Sequence, residues 1–348
     1  LPMRTKHTSR RLPAAALPIA LLLLASSARA QPQAAGSGEA TARVSLYADN
    51  DDTTVVTSLA DGSVALPADV KVGAHGLVDV VSTASVDVVS NASADVTTGA
   101  TPRFEDVRGE VGGRASVFLT RQLDIGAGFS FSTERDWKSY APSARFGLDL
   151  FKRNLRITGT YAYGHNRVRR AHDRYFRERQ DSHSGELAIT QLLDRKTLIG
   201  AAYTLQAVDG YQASPYRFVT IVDGPALRER HPQSRLRQAV TFHGLRYLGG
   251  DMALQASYRI YGDDWGVQSN TLAASLLWEL SELLDLRFRA RGYHQRAADF
   301  WRERYRVASE HFSADRELSS YWDVGIGMAG ALHFDDWTLD ARLDGLYY

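Results

Sequence analysis

The 348-residue sequence contains no cysteine, so it has neither disulfide bonds nor thiolate metal ligands. It also lacks an excess of either charge: 41 basic and 40 acidic side chains leave a formal net charge of +1, which predicts no nucleic-acid partner. Beyond residue 30, no apolar run approaches the roughly 20 residues of a membrane-spanning helix. Membrane barrels stay compatible with these absences, because half of each of their strands is polar.

The first 30 residues have the three parts of a secretory signal peptide. A basic region with Arg4, Arg10 and Arg11 precedes an apolar run over residues 12–25 that is too short for a membrane anchor. Ala28-Arg29-Ala30 then supplies the small side chains of a signal-peptidase site. We predict an exported protein with cleavage before Gln31, a flexible lead-in over residues 31–40 and one folded domain over residues 41–348.

Residues 284–295 show the pattern that organises the rest of the chain. Two sets of side chains alternate there: Leu284, Leu286, Phe288, Ala290 and Gly292, and between them Asp285, Arg287, Arg289 and Arg291. Successive side chains of a strand point to opposite faces, so this period of two predicts a strand with one apolar and one charged face.

The same alternation recurs along the chain and predicts an all-β, antiparallel protein of about 15 strands. Short turns, such as residues 152–154 and 249–251, are predicted to alternate strictly with long polar loops at residues 82–105, 165–183, 209–235 and 295–319. A soluble sandwich, which is the alternative, has no reason to place all its short connections at one end. The pattern instead favours a transmembrane β-barrel of the outer membrane of a Gram-negative bacterium.

The predicted strand number is odd, whereas a barrel with both termini in the periplasm needs an even number. In addition, Tyr348 falls on the face opposite to Leu339, Leu343 and Tyr347. One interpretation is that the sequence lacks a final strand and that the complete barrel has about 16 strands. The other is that an N-terminal strand has been split or merged, because strand boundaries are hard to place from sequence.

If the apolar faces meet lipid, the charged faces line the lumen. The candidate lumen charges are Arg287, Arg289, Arg291, Arg259, Arg156, Asp285 and Asp124. A ladder of arginines would guide anions through a channel. Charges as balanced as these would equally pair into a network that fills the barrel, and the sequence supports both interpretations.

Arginines are also concentrated in three of the predicted outer loops, at residues 165–183, 209–235 and 295–319. Arg235 and Arg237 are assigned to the second of these loops. The candidates for outer contacts are Arg169, Arg170, Arg174, Arg228, Arg230, Arg302 and Arg304. A planar guanidinium binds phosphate and carboxylate groups by paired hydrogen bonds. An anionic solute, the phosphates of outer-membrane lipid or lipopolysaccharide, and neighbouring acidic side chains are therefore alternative partners.

Signals for catalysis or metal binding are weak. The acidic run Asp49-Asn50-Asp51-Asp52 offers oxygen ligands but lacks the spacing and final glutamate of an EF-hand loop, and turns favour the same residues. The chain has no Gly-x-Ser-x-Gly, His-Glu-x-x-His or phosphate-binding glycine-rich motif. We predict no enzyme activity, cofactor or metal, and keep an outer-membrane hydrolase as an alternative.

Two segments carry a resemblance to a known family. Residues 47–57, Tyr-Ala-Asp-Asn-Asp-Asp-Thr-Thr-Val-Val-Thr, and the Asp-Val-Val-Ser repeat at residues 79–82 and 87–90 resemble domain of unknown function 3570 of Gram-negative bacteria. The likeness covers most of the chain after the signal peptide. It implies an outer-membrane-type barrel and, through an association with thioredoxin-like and flavin-transferase neighbours, a role beside a redox system. It supplies no catalytic residues.

These observations predict a channel, or an uptake or export pore, for a small anionic solute. The alternative is a structural or assembly barrel with a plugged lumen that binds periplasmic partners. The expected partners are outer-membrane lipid and lipopolysaccharide, the barrel-assembly machinery and the solute itself.

Overall fold

The computed structural model describes residues 21–24, 36–48, 53–83, 104–171, 173–334 and 337–347. Its strands are β1 (Leu21–Leu24), β2 (Gly38–Ala48), β3 (Thr53–Leu66), β4 (Val70–Thr83), β5 (Phe104–Phe118), β6 (Leu123–Thr133), β7 (Trp137–Leu150), β8 (Leu155–Arg170), β9 (Asp173–Asp194), β10 (Thr197–Gly210), β11 (Phe218–Thr220), β12 (Ala226–Arg228), β13 (Ser234–Gly249), β14 (Met252–Asp263), β15 (Gln268–Ser281), β16 (Leu284–Arg296), β17 (Tyr321–His333) and β18 (Thr338–Tyr347). Two short 3-10 turns occupy Phe151–Arg153 and Arg316–Leu318. None of the helices in these ranges is long and apolar enough to cross a membrane.

Sixteen of the strands form one antiparallel sheet in chain order, and only β11 and β12 pair separately. β1 lies in the predicted signal peptide and pairs with β2, which begins at Gly38, three residues before the predicted start of the folded domain. Without β1 the sheet has fifteen strands, the number that the alternation predicted. The all-β, antiparallel prediction is therefore confirmed.

The two faces of the sheet differ in the way that a membrane barrel requires. On the outward face, large apolar side chains remain open, as at Leu272 and Ile326, which are 60% and 67% exposed. On the opposite face, Asp124 and Asp323 are only 4% and 5% exposed. Apolar surface on this scale is unfavourable in water and favourable in lipid. The polar face is the inner one, since side chains from nine strands, β4 to β10, β13 and β14, line a common cavity.

The short connections gather at one end of the sheet, as predicted. They include residues 67–69, 119–122, 151–154, 195–196, 250–251 and 282–283. Left-handed backbone conformations make these turns tight: φ is +62° at Ala68, +59° at Lys152 and +58° at Asp251.

The opposite end departs from the predicted strict alternation of short and long connections. Residues 134–136 and 264–267 form short links there, and β9 begins only three residues after the end of β8. The long connections within the described ranges are residues 211–233 and 297–320. The predicted loop at residues 82–105 and the acidic run at residues 49–52 fall largely or wholly outside the described residues.

The predicted loop over residues 165–183 is wrong. β8 and β9 continue pairing as far as Arg169 and Arg177, which are opposite each other. Val168 and Asn166 point inward there and are 4% and 6% exposed. The arginine content of the segment indicated a loop, whereas its alternation of arginines with buried side chains satisfies the strand period.

Candidate functional site

Ion pairs run along the inner wall of the barrel near the short-turn end. The Arg156 guanidinium donates from Nη2 to Asp124 Oδ2 at 2.6 Å and from Nη1 to Asp149 Oδ1 at 2.8 Å. Gly147 leaves space for this contact, because a Cβ there would lie 2.1 Å from Arg156 Nη2. Two of the predicted lumen charges, Arg156 and Asp124, are thus partners in one bridge between β6, β7 and β8.

We expect Arg156→Gln to lower the free energy of unfolding by about 2 kcal/mol, because two largely buried carboxylates lose their bidentate donor. Urea unfolding of the protein in detergent measures this change. Arg145→Gln is the control: Arg145 lies 3.6 Å from Asp124 and is half exposed, so its loss is expected to cost less than about 1 kcal/mol. Equal losses for the two variants would contradict the assignment.

The predicted ladder on β16 does not act as three equivalent free cations. Arg289 donates to Asp344 Oδ1 at 3.0 Å, and Arg291 pairs with Asp323. Within the described residues, Arg287 has no ion-pair partner. Arg287 and Arg289 line a separate cavity of about 580 Å³ with Asp285, whose carboxylate lies 2.9 Å from His333 Nε2.

The larger lumen cavity has a basic lining. Its volume is about 900 Å³. Its charged side chains are Lys71, Arg114, Arg145, Arg237 and Arg259, with Glu186 as the single carboxylate. Oriented cations inside a low-dielectric wall attract anions more strongly than the same charges in water. The cavity is therefore suited to a small anion.

Two of these cations have only neutral hydrogen-bond partners. Arg237 Nη1 donates to Gln206 Oε1 at 3.0 Å, and Arg259 Nη1 donates to Thr241 Oγ1 at 3.3 Å. The other three pair with carboxylates: Lys71 with Glu39, Arg114 with Asp61 and Arg145 with Asp124. Within the described residues, Arg237 and Arg259 are therefore the cations of this cavity without an ion-paired carboxylate, and Glu186 is the one acid that lines the cavity with them.

The assignment of Arg235 and Arg237 to an outer loop was wrong, because both lie on β13. Arg235 pairs with Asp263 at 2.5 Å, and Arg237 reaches the large cavity. The outward side chains Val240 and Phe242 gave the signal: the same period of two, extended backward, places residue 237 on the inner face.

The two long connections, residues 211–233 and 297–320, pack together over the outer end of the lumen, and we call them the cap. Arg230 and Phe312 exchange backbone hydrogen bonds of 3.1 and 2.8 Å. Val219, Ile221, Tyr305 and Phe312 form a buried apolar cluster between them. A second cavity of about 530 Å³ beneath the cap is lined by Gln212, His231 and Leu318 together with Gln206 and Arg237 of the larger cavity.

A buried carboxylate joins the two halves of the cap. Glu229 Oε1 accepts from Ser313 Oγ at 2.8 Å and from the Ala314 amide at 3.2 Å. Its Oε2 lies 3.4 Å from Arg217 Nη1 and 3.5 Å from His231 Nε2. Burial alone would raise the pKa of Glu229, but His231, Arg217 and Ser313 outweigh it and lower that pKa.

The predicted outer arginines occupy different environments. Arg169 and Arg170 lie on β8, and Arg174 lies on β9 with its guanidinium 5.1 Å from the Tyr175 ring. In the cap, Arg228 lies over Phe218, Arg230 takes part in the backbone pairing, Arg302 donates to the carbonyls of Asp299 and Trp301, and Arg304 is exposed. The structure does not bring these side chains into one site.

No group of three or more metal-ligating side chains occurs among the residues described. A histidine beside a carboxylate would need a serine hydroxyl to form a hydrolase triad. His165 Nδ1 lies 2.8 Å from Asp181 Oδ1, but the hydroxyl beside this pair is that of Tyr163, which donates to Asp181. A phenol in this position is held as a hydrogen-bond donor to the carboxylate. The geometry therefore offers no serine–histidine pair at this place.

The fold is similar to the barrels of solved outer-membrane receptors. The ferric-catecholate import receptor Fiu from E. coli shares 8% identity and a TM-score of 0.52, over 90% of this chain and 62% of that one. The ferric enterobactin receptor PfeA from Pseudomonas aeruginosa shares 12% identity with a TM-score of 0.52, over 90% of this chain and 53% of that one. The siderophore receptor PirA from Acinetobacter baumannii shares 10% identity with a TM-score of 0.52, over 90% of this chain and 52% of that one. The chain thus spans between half and two thirds of these receptors.

In sequence, no curated protein matches this chain. The model of one family, described as protein of unknown function DUF3570, matches residues 11–348. The resemblance carried by the Asp-Val-Val-Ser repeat is therefore confirmed.

Proposed function

This chain belongs to the DUF3570 family of proteins of unknown function, and from that premise we propose that it is an outer-membrane barrel that captures and passes a small anionic solute. The basic cavity in the lumen is the observation that supports this most directly. It places five cationic side chains and one carboxylate around about 900 Å³. Ligand sites of drug-sized molecules have volumes of roughly 300–1,000 Å³.

The arrangement of the cavities supports passage as well as binding. The cavity beneath the cap and the large cavity share Ala162, Ser184, Gln206 and Arg237 as lining residues, and Arg259 lines only the large cavity. A solute that passes the cap therefore reaches Arg237 before Arg259. Anions bound by several moderate contacts can move between neighbouring sites. The import receptors with this fold favour uptake as the direction.

Transport accounts for the site better than enzyme chemistry. The charged lining of the cavity consists mainly of cations whose partners are carboxylates, amides and hydroxyls, an arrangement that suits the binding of anions. Export by the signal peptide over residues 1–30, with cleavage before Gln31, would deliver the chain to the outer membrane.

A plugged barrel is the second candidate, and the lumen ion pairs favour it. Arg156 pairs with Asp149 of the adjacent strand and with Asp124 two strands away, and Arg289 pairs with Asp344, also two strands away. In that case the charges stabilise the barrel and the solute has no path.

Solute flux into liposomes distinguishes the two functions. Gluconate, glucose and glucosamine have similar sizes and carry negative, zero and positive charge. With the full-length protein reconstituted, we expect swelling to be fastest in gluconate and slowest in glucosamine. Entry of glucosamine at the rate of gluconate would overturn the proposed anion selectivity, and no entry of any of the three would favour the plugged barrel.

A further inference from the structure

A row of cations crosses three strands on the outward face of the barrel. Arg167 on β8 lies opposite Lys138 of β7 on one side and opposite Arg179 of β9 on the other. Two residues further along the strands, Arg169 lies opposite Arg177. All four arginines are exposed and alternate with the inward, buried Asn166 and Val168. We call these five residues the basic row.

The charge of the basic row is not balanced by its neighbours. Like charges placed directly opposite each other in a sheet are destabilising. Asp181, one step below, already accepts from Arg179 at 2.6 Å, His165 at 2.8 Å and Tyr163 at 2.7 Å. The residue opposite Asp181 on β10 is Asp209, which adds a second carboxylate at the level below the basic row. Within the described residues, Arg167 and Arg169 have no carboxylate in ion-pair range.

Aromatic side chains form a second row directly beneath, which we call the aromatic row. Phe131, Tyr140 and His165 follow one another across β6, β7 and β8, with ring centroids 5.0 and 6.4 Å apart. Tyr163 and His183 continue it across β8 and β9 at 5.0 Å. Aromatic girdles mark the boundary between lipid tails and headgroups on membrane barrels.

The height of the basic row on the barrel fits the headgroup level. Ile157 is near the start of β8 and the short-turn end, and Arg167 follows ten residues later. With a rise of about 3.3 Å per residue and a strand tilt of about 40°, this separates them by about 25 Å along the barrel axis. The apolar band of such barrels is also about 25 Å tall. The basic row consequently lies just above the lipid tails at the long-loop end.

We propose that the basic row binds the phosphate groups of an outer-leaflet glycolipid that carries two phosphates on an acylated sugar headgroup. The acyl chains would cover the apolar outward face, and the aromatic row would contact the sugar rings of the headgroup. The pair Arg167 and Arg179 would bind one phosphate. The pair Arg169 and Arg177 would bind the other. Guanidinium groups bind phosphate by paired, charge-assisted hydrogen bonds. A phosphate between two opposed arginines removes their repulsion. This inference rests on the proposed outer-membrane location and is independent of transport through the lumen.

Native mass spectrometry of the full-length protein in detergent, with purified diphosphorylated lipid A as the probe, tests the proposal. We expect wild-type protein to retain the lipid, and the variant Arg167→Gln/Arg169→Gln/Arg177→Gln/Arg179→Gln to bind it at least about tenfold more weakly. The matched control removes four exposed arginines elsewhere, Arg121→Gln/Arg195→Gln/Arg304→Gln/Arg306→Gln, and is expected to bind as the wild type does.

Thermal unfolding gives a readout that a folding defect would not imitate. Without lipid, the basic-row variant is expected to be at least as stable as the wild type, because like-charge pairs have been removed. Added lipid A is expected to raise the unfolding temperature of wild type and control only. Three results would each overturn a lipid site. The first is that the basic-row variant binds lipid A as tightly as the wild type does, and the second is that the wild type binds the fully dephosphorylated glycolipid as tightly as lipid A. The third is that millimolar inorganic phosphate displaces lipid A completely.

Discussion

Replacing Glu229 by glutamine is expected to increase hydrogen exchange at the Arg230 and Phe312 amides about a hundredfold, because breaking a buried ion pair of this kind costs about 3 kcal/mol. These two amides join the halves of the cap through reciprocal backbone hydrogen bonds. Their exchange rates therefore report how often the cap opens. We also expect faster gluconate entry in the liposome assay.

The effect is large because the partners of Glu229 are buried with it. Side-chain exposure is 0% for Glu229, 5% for His231 and 11% for Arg217. Arg217 keeps a second partner, Asp315, at 2.6 Å, which limits the loss. Glutamine preserves the size of the side chain and an acceptor for Ser313, so the difference measures the charge rather than the packing.

The same contact makes the cap sensitive to acid. The pKa of Glu229 is lowered from 4.5, because the attraction of His231 and Arg217 and the Ser313 hydrogen bond exceed the opposing effect of burial. A carboxyl with a lowered pKa in the closed cap stabilises that state above its ordinary pKa, and this stabilisation is lost as the pH falls through the lowered value. The measured quantity is the hydrogen-exchange rate of the Arg230 and Phe312 amides relative to that of an unprotected amide at the same pH. Titration of Glu229 is expected to leave this ratio unchanged at neutral pH and to increase it as the pH falls below about 4.5.

Glu303→Gln provides the control, because Glu303 is an exposed acid in the other half of the cap, the connection that also carries Phe312. It is expected to leave both amides as protected as in the wild type. The Glu229→Gln variant should also lose the acid-dependent increase in exchange at these amides. Unchanged protection in Glu229→Gln would mean that the apolar cluster alone holds the cap closed.

Neutralising Arg237 and Arg259 together is expected to reduce the anion-to-cation permeability ratio about tenfold. Each is a positive charge in the wall of the large cavity with only a neutral partner. At an effective dielectric constant of about 20, a unit charge about 8 Å away changes the energy of an ion by about 2 kcal/mol, before screening by salt. The loss of Arg237 and the loss of Arg259 both make the cavity less favourable for an anion and more favourable for a cation.

The reversal potential in planar bilayers under a potassium chloride gradient measures this ratio for Arg237→Gln/Arg259→Gln. Glutamine keeps polar atoms in the wall, so conductance should persist while selectivity falls. Arg121→Gln/Arg195→Gln removes two exposed charges from short turns and is expected to leave the ratio unchanged. A ratio that changes equally in both variants would place the selectivity outside the cavity.

The sequence predicted the barrel because its period of two is a local property. Leu284 to Gly292 and their charged neighbours assign each side chain to one face without knowledge of the partner strand. The strand number and the short turns follow from the same pattern. Residues 165–183 differ from the predicted polar loop because charged side chains occupy the outward positions that apolar side chains hold elsewhere, while the period of two continues.

The site depends on distances between strands, which the pattern does not contain. Arg156 meets Asp124 and Asp149 only because β8 pairs with β7 in one register and the lumen side chain can reach β6. Arg237 owes its place in the cavity to the true start of β13. Glu229 and Ser313 are 84 residues apart in sequence, and the cap that joins them has no periodic signal.

The reversal potential of the unmodified full-length protein is the measurement that tests the central claim most directly, namely that its lumen passes anions in preference to cations. The basic cavity predicts steady single-channel currents whose reversal potential lies on the chloride side of zero in a potassium chloride gradient. A reversal potential at zero or on the potassium side would contradict an anion-selective lumen, and a folded barrel that carries no current would contradict passage itself.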